Sequence, residues 1–175
     1  MSNKISLAKR VREASKLSGT FKLRSGAMSD TYFDKYLFES DPVLLKDICE
    51  VMAQQIPKDT EILAGLEMGG IPVVTMLSHV TGIPAAYIRK SAKPYGTCKF
   101  AEGPVLEGKN ITIIEDVVSS GGAIIDALDN LAGDGIHPTS IICVIDRQTG
   151  GSEHLETKGY KLGSVFTMEE IEGAV

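Results

Sequence analysis

The sequence predicts an α/β fold: a central, mainly parallel sheet flanked by helices, with a small hood at the N-terminal side. Three observations predict it. From residue 61 onward short apolar runs alternate with helical patterns, the arrangement that builds parallel strands through right-handed crossovers. One of those runs, Ile111–Ile114, is near-continuously apolar, of the kind a strand buried on both faces requires. Ahead of residue 41 the pattern is different, with aromatic-rich runs around a Ser-Gly turn.

Each element follows in order. Leu7, Val11, Ala14 and Leu17 recur at helical spacing before Gly19, which predicts a helix over 6–18 with a glycine stop. The run FKLRSGAMSDTYFDKYLF reads as a hairpin or small hood of strands. Ser40-Asp41-Pro42 opens a helix with proline in its first turn; Leu45, Ile48, Met52 and Ile56 continue it, and Pro57 ends it. Strands are expected at Glu61–Leu66, Pro84–Ile88, Ile111–Ile114 and Ser140–Ile145, with a weaker one at Gly163–Phe166. Helices are expected at Ile71–Val80, after Gly69-Gly70, and at Ala123–Leu131. Lys90–Gly108 is long, polar and without period, the signature of a flexible functional lid or of disorder. A single domain over 1–175 is expected, with helix and hood in 1–40, the α/β core in 41–175 and the lid at 90–108.

Composition limits the function classes. At 175 residues, 43% hydrophobic and 23% charged, the chain is long enough for one well-buried core. No apolar run is long enough to span a bilayer, and the first residues carry no apolar leader segment. Cys49, Cys98 and Cys143 are widely spaced and form no CxxC, which argues against a disulfide framework or zinc site and for a reducing cytoplasm. A net charge of −5 argues against nucleic-acid binding. A local cationic cluster in such a chain is therefore informative.

The chemistry concentrates in ITIIEDVVSSGGAIIDAL. A buried strand runs into Glu115 and Asp116, followed by Val117, Val118, Ser119, Ser120, Gly121, Gly122 and Ala123 at the opening of an apolar helix. Ligands of open α/β sheets bind at the carboxyl ends of strands. A Ser-Ser-Gly-Gly turn at a helix N-terminus offers free N–H groups and close backbone approach to a phosphate. Two carboxylates just before it suit the hydroxyls of a ribose and a nearby Mg²⁺. The same residues also fit a strand ending in acids with an ordinary Ser-Gly helix cap and no ligand.

Ile113–Ala123 resembles the phosphoribosyl pyrophosphate (PRPP) signature of the type I phosphoribosyltransferases: apolar residues, two acids, two apolar residues, two hydroxyls, two glycines. Three further segments resemble the orotate phosphoribosyltransferase family. RKSAKPYG gathers Arg89, Lys90 and Lys93 and is similar to that family's mobile catalytic loop; alternatively it is a solvated charged loop. The resemblance implies that Lys93, with Lys90 and Lys99, engages the leaving pyrophosphate in trans across a homodimer, and that Arg89 contacts the same ligand. FKLRSGAMSDTYFD resembles the family's hood, which puts Arg24 by the ligands and Tyr32 and Phe33 along the base pocket; a flat pyrimidine suits an aromatic wall and its carboxylate suits a cation. CVIDRQTGG implies that Arg147 grips the orotate carboxylate with Ser119 near the base, although a structural ion pair of Arg147 with Asp146 or Glu153 fits the same residues. GLEMGGIP, Gly65–Pro72, is similar to the family's pyrophosphate loop.

The resemblance thus implies a type I phosphoribosyltransferase fold and transfer of the phosphoribosyl group from PRPP to orotate, giving orotidine 5'-monophosphate in UMP biosynthesis. Catalysis would fall to Lys93, Glu115 and Asp116, with Asp116 facing the site, and Mg²⁺ would be held mainly by PRPP rather than directly by protein. A purine phosphoribosyltransferase or a PRPP-sensing regulator shares the signature. Some members carry lysine where Gly69 stands and histidine where Tyr95 stands. His79, His137 and His154 match no catalytic or metal spacing and read as structural or surface residues.

Overall fold

The computed structural model describes residues 4–23, 26–92 and 99–174. The expectations for Arg24, Lys93, Tyr95 and Cys98 lie outside the described residues. The chain opens with helix α1 (Lys4–Ser15), which buries Leu7, Ala8 and Val11. Strands β1 (Lys16–Lys22) and β2 (Met28–Phe33) form the hood as an antiparallel pair with its own two-stranded sheet. The helix stops three residues before its expected end. Leu17 belongs to the hairpin, paired with Tyr32, and the Asp34 N–H donates to the Ser15 carbonyl at 2.9 Å, so the chain turns into the sheet there. Gly19 does not stop the helix; it lies in β1 where the pairing shifts between Ser18 and Phe21. The aromatic run after β2 is also not all strand. Asp34 accepts from the Tyr36 N–H and caps a short helix, α2 (Lys35–Ser40).

Asp41 then caps α3 (Pro42–Met52) through the Val43 and Leu44 N–H groups at 2.9 and 3.0 Å, with Pro42 in the first turn as expected. The helix tightens into a 3₁₀ turn at Ala53–Gln55, short of Ile56. The core follows as β3 (Ile62–Leu66), α4 (Gly70–Thr81), β4 (Ala85–Ile88), β5 (Ala101–Glu102), β6 (Ile111–Val118), α5 (Gly122–Gly133), β7 (Ser140–Asp146), α6 (Gly151–Thr157), β8 (Leu162–Thr167) and α7 (Met168–Gly173). The sheet order is β5-β4-β3-β6-β7-β8, parallel except for the edge strand β5. β5, α6 and α7 carry no pattern long enough to have been foreseen.

Each face of the sheet has its own apolar core. Leu7, Phe38, Leu44, Ile48, Val74, Leu77 and Phe166 pack from α1–α4 and β8 on one side. Ile113, Ile124, Leu128, Leu131 and Leu155 pack with Phe100 and Leu106 on the other. These last two belong to the second half of the segment expected as a lid, 90–108. Phe100 and Leu106 are buried, the Phe100 carbonyl accepts from the Arg89 N–H at 3.0 Å, and Glu102 pairs with Tyr87, so this part of the segment touches the sheet at these points.

The central strand β6 carries one buried polar side chain in its apolar first half. The Thr112 hydroxyl lies 2.8 Å from that of Thr60 and 2.7 Å from that of Ser140, so none of the three is left unsatisfied. Among the described residues no helix is long and apolar enough to cross a membrane. Cys49 and Cys143 are both buried, and burial pushes the Cys49 thiol up to about 12, which makes it a packing residue rather than a nucleophile.

Candidate active site

β6 is longer than its apolar run suggests and includes both acids and both following valines. It ends in Ser119-Ser120, and Gly121, at φ 74°, turns the chain into α5. Glu115, Val117–Ala123 and Ile124 line one side of a cavity of about 640 Å³; Lys35, Tyr36, Glu67, Met68, Gly69 and Lys90 line the other. The Gly65–Gly70 loop lies directly on the strand. A Cβ on Gly70 would sit 2.7 Å from the Ile114 carbonyl, and one on Gly65 would sit 2.5 Å from the Gly70 carbonyl, so only glycine permits this approach. The loop contains a cis peptide at Glu67–Met68, and Glu67 accepts from the Lys90 N–H at 2.8 Å.

The two acids have different surroundings. Glu115 reaches the cavity, whereas Asp116 is fully buried beneath the Lys35 ammonium, 2.5 Å from its Oδ2. Asp116 thus lies beneath Lys35 while its neighbour Glu115 lines the cavity. Glu39, from α2, is buried against the same carboxylate. Burial opposes ionisation of Asp116, but hydrogen bonds from Glu115, Glu39 and Lys35 outweigh it and hold the carboxyl below its ordinary range. Burial, reinforced by the bond to Asp116, pushes Glu115 well up. The same two causes push Glu39 up to about 9. Burial works against the charge on Lys35, yet the bond to Asp116 raises its pKa above the usual lysine range. The favoured state is thus one carboxylate, two protonated acids and one ammonium.

That arrangement sets a pH dependence. An acid whose pKa rises on folding holds its proton more tightly in the folded chain. Below an ordinary glutamate pKa of 4.5 both states are protonated and Glu39 contributes no penalty. Between 4.5 and about 9 the unfolded chain ionises and gains, so the Glu39 contribution makes the fold progressively less stable and then levels off. Glu39→Gln keeps the shape and a donor toward Asp116 without that cost. Thermal melts are expected to coincide with the native chain near about pH 4 and to move above it as pH rises toward about 8. An unchanged difference between the two melts across that range would contradict the assignment.

The other expected residues divide between neighbouring cavities. Tyr32, Phe33 and Arg147 share one of about 580 Å³ with Arg12, Lys16 and Lys22. The Phe21 and Tyr32 rings meet there at 5.5 Å between centroids. The Arg147 N–H donates to the Val118 carbonyl at 2.8 Å, which ties this cavity to the end of β6. Among the described residues no carboxylate pairs with Arg147; Asp146 instead accepts from the Gln148 N–H at 2.8 Å. Arg89 and Lys90 line a smaller space of about 220 Å³ beside Glu67 and Ala123, and Arg89 lies 4.0 Å from Glu102. Lys35 and Glu39 were not foreseen. The only signal was Asp34, a capping residue directly before Lys35, which would have put Lys35 and Glu39 one turn apart on a single helix face.

An acid-bearing central strand that runs into a Ser-Gly loop and a helix, in a sheet of this order, defines a class: the family described as "Phosphoribosyl transferase domain", whose model matches residues 42–164. A protein of Nocardioides sp. named orotate phosphoribosyltransferase is 45% identical over 168 residues, 96% of this chain and 94% of its own. The chain belongs to the orotate phosphoribosyltransferase family. The crystal structure of the Mycobacterium tuberculosis orotate phosphoribosyltransferase in complex with Fe(III) dicitrate superposes with a TM-score of 0.87 at 29% identity, covering 96% of this chain and 98% of that one. The structure of that enzyme in complex with PRPP superposes at 0.83 with 25% identity, covering 97% and 98%.

Proposed function

We infer that this chain, an orotate phosphoribosyltransferase, transfers the 5-phosphoribosyl group of PRPP to orotate and so forms orotidine 5'-monophosphate for UMP synthesis. The observation that carries the reading is the single cavity in which Glu115 and the Ser119–Gly122 loop face Gly69 and Lys90. In the reaction the bond from ribose C1 to pyrophosphate breaks and its electron pair leaves with pyrophosphate, while a ring nitrogen of orotate supplies the pair for the new bond and gives up its proton to the departing pyrophosphate or to solvent. The protein's share is positioning and charge. The loop N–H groups hold the 5-phosphate, the Glu115 carboxyl binds ribose hydroxyls, and Asp116 fixes Glu115. Tyr32, Phe33 and Arg147 receive the base and its carboxylate, which their shared cavity supports.

Mg²⁺ is proposed as the cofactor. Among the described residues no group of three or more acids, histidines or cysteines could hold a metal alone. The ion fits as a passenger of the diphosphate in the cavity that Glu115 lines; when bound it would ease departure of pyrophosphate. Arg89, Lys90 and Lys93 are proposed to meet that diphosphate, with Lys93 acting across a homodimer in the cytoplasm. Lys93→Ala is expected to lower turnover roughly a hundredfold while orotate still binds; unchanged turnover would remove the lid from the mechanism.

The test of the whole reading is an ultraviolet assay of orotate consumption with PRPP and Mg²⁺, run beside uracil, adenine, guanine and hypoxanthine. Loss of orotate alone, dependent on PRPP and metal, is the expected result. Turnover of a purine would overturn the base pocket but keep the phosphoribosyl site. PRPP binding with no turnover of any base would favour a sensor.

A further inference from the structure

Three consecutive residues of the phosphate loop rest on one short helix that no ligand in the proposed reaction touches. The Ser119 carbonyl lies where a Cβ on Gly151 would be, at 2.5 Å, and Val118 Cγ1 would be 2.7 Å away. The Ser120 carbonyl lies 3.1 Å from His154 Nδ1. A Cβ on Gly121 would meet the Gly151 carbonyl at 3.2 Å and Leu155 Cγ at 3.5 Å. Gly151 and Leu155 are buried, so this side of the helix cannot retreat without opening the core.

A carbonyl only accepts, so Nδ1 of His154 carries the hydrogen in this contact. A trans peptide is planar, and its C=O and N–H point in opposite directions. Directing the Ser119 carbonyl against Gly151 therefore directs the Ser120 N–H away from α6, and directing the Ser120 carbonyl at His154 does the same for the Gly121 N–H. Away from α6 is the side on which these residues line the cavity. We propose that α6, through His154 and Gly151, is the positioning element of the phosphate loop and sets the direction of the Ser120 and Gly121 donors. His154, which reads in the sequence as a structural or surface residue, is thus a positioning residue for the phosphate-bearing substrate. This rests on the reading of Ser119–Gly122 as the phosphate cradle.

The experiment is titration calorimetry of PRPP and of inorganic phosphate with the full chain, with steady-state kinetics alongside, for the native protein, His154→Ala and His154→Asn. Asparagine places its amide nitrogen where Nδ1 stands and keeps the donor. His154→Ala is expected to weaken PRPP roughly five- to tenfold, the range of one net hydrogen bond. It should leave KM for orotate and the thermal midpoint within error, and His154→Asn should restore most of the loss. PRPP affinity unchanged in His154→Ala overturns the proposal. So does equal weakening in alanine and asparagine, or a fall in affinity for both substrates that follows a lowered midpoint. A native protein that binds neither PRPP nor phosphate fails the cradle reading itself, a result distinct from all of these.

Discussion

Asparagine at position 116 is expected to lower kcat/KM roughly a hundredfold, although this side chain does not reach the cavity. Asp116 is the one carboxylate of its cluster held in the ionised state, with the Lys35 ammonium 2.5 Å from its Oδ2 and Glu115 and Glu39 packed beside it. Its Oδ1 also accepts from its own Val117 N–H at 2.6 Å. The amide removes the charge opposite Lys35 and turns one acceptor into a donor. Glu115 then loses the partner that fixes it, and either Glu115 or Glu39 must give up its proton to balance the ammonium. Stability should fall by about 1–2 kcal/mol, less than for a fully buried pair because the Lys35 side chain is 32% exposed. Kinetics and melts on the same preparation check both parts. Turnover within about threefold of the native chain would show that Asp116 is structural only.

The second large effect is expected at Gly69. A Cβ there would lie 1.8 Å from Asp116 Oδ2 and 3.0 Å from Lys35 Nζ. Neither neighbour can yield cheaply, since the carboxylate is buried and bonded on several sides. Gly69→Ala must therefore displace the Asp116–Lys35 pair or push the 67–70 loop off β6. We expect PRPP binding to weaken by at least about tenfold and the fold to lose about 1–3 kcal/mol, a drop of several degrees in Tm. Gly133→Ala is the control. A Cβ at that helical position meets nothing within 4 Å, and a neutral or slightly raised Tm is expected there. Equal behaviour of the two variants would contradict the packing described for Gly69.

Lys35 explains how far the sequence could be read. Ile111–Ile114 and Ser140–Ile145 declare themselves because a strand buried on both faces is apolar at nearly every position. The Ser119–Gly122 loop declares itself because a run of small residues at a helix N-terminus is the pattern that lets a backbone approach an anion. Asp41 and Pro42 mark α3 through capping chemistry that is local. Lys35 and Glu39 carry no such mark: their importance comes from α2 folding back over β6 across roughly eighty residues of chain, a tertiary fact with no local signature. The same is true of Gly69, whose constraint is the carboxylate above it, and of His154, whose partner is a carbonyl. α6 and α7 are too short for periodicity to separate them from loop, and β5 exists only because Phe100 and Leu106 tie its neighbours to the core.

The hydroxyl row of Thr60, Thr112 and Ser140 has a consequence at the far end of β6. Side chains alternate along a strand, so sliding β6 by one residue against its neighbours would invert every one of them. An apolar strand such as Ile111-Thr112-Ile113-Ile114 has little else to forbid that slide, because isoleucine suits either core. The threonine does forbid it: inverted, its hydroxyl would face the apolar surface of α5 with no partner, while those of Thr60 and Ser140 would lose theirs. The same slide would move Glu115 out of the cavity that it lines. Thr112 therefore acts as an indexing pin, and what it indexes, at the far end of the strand, is the face on which Glu115 lines the cavity.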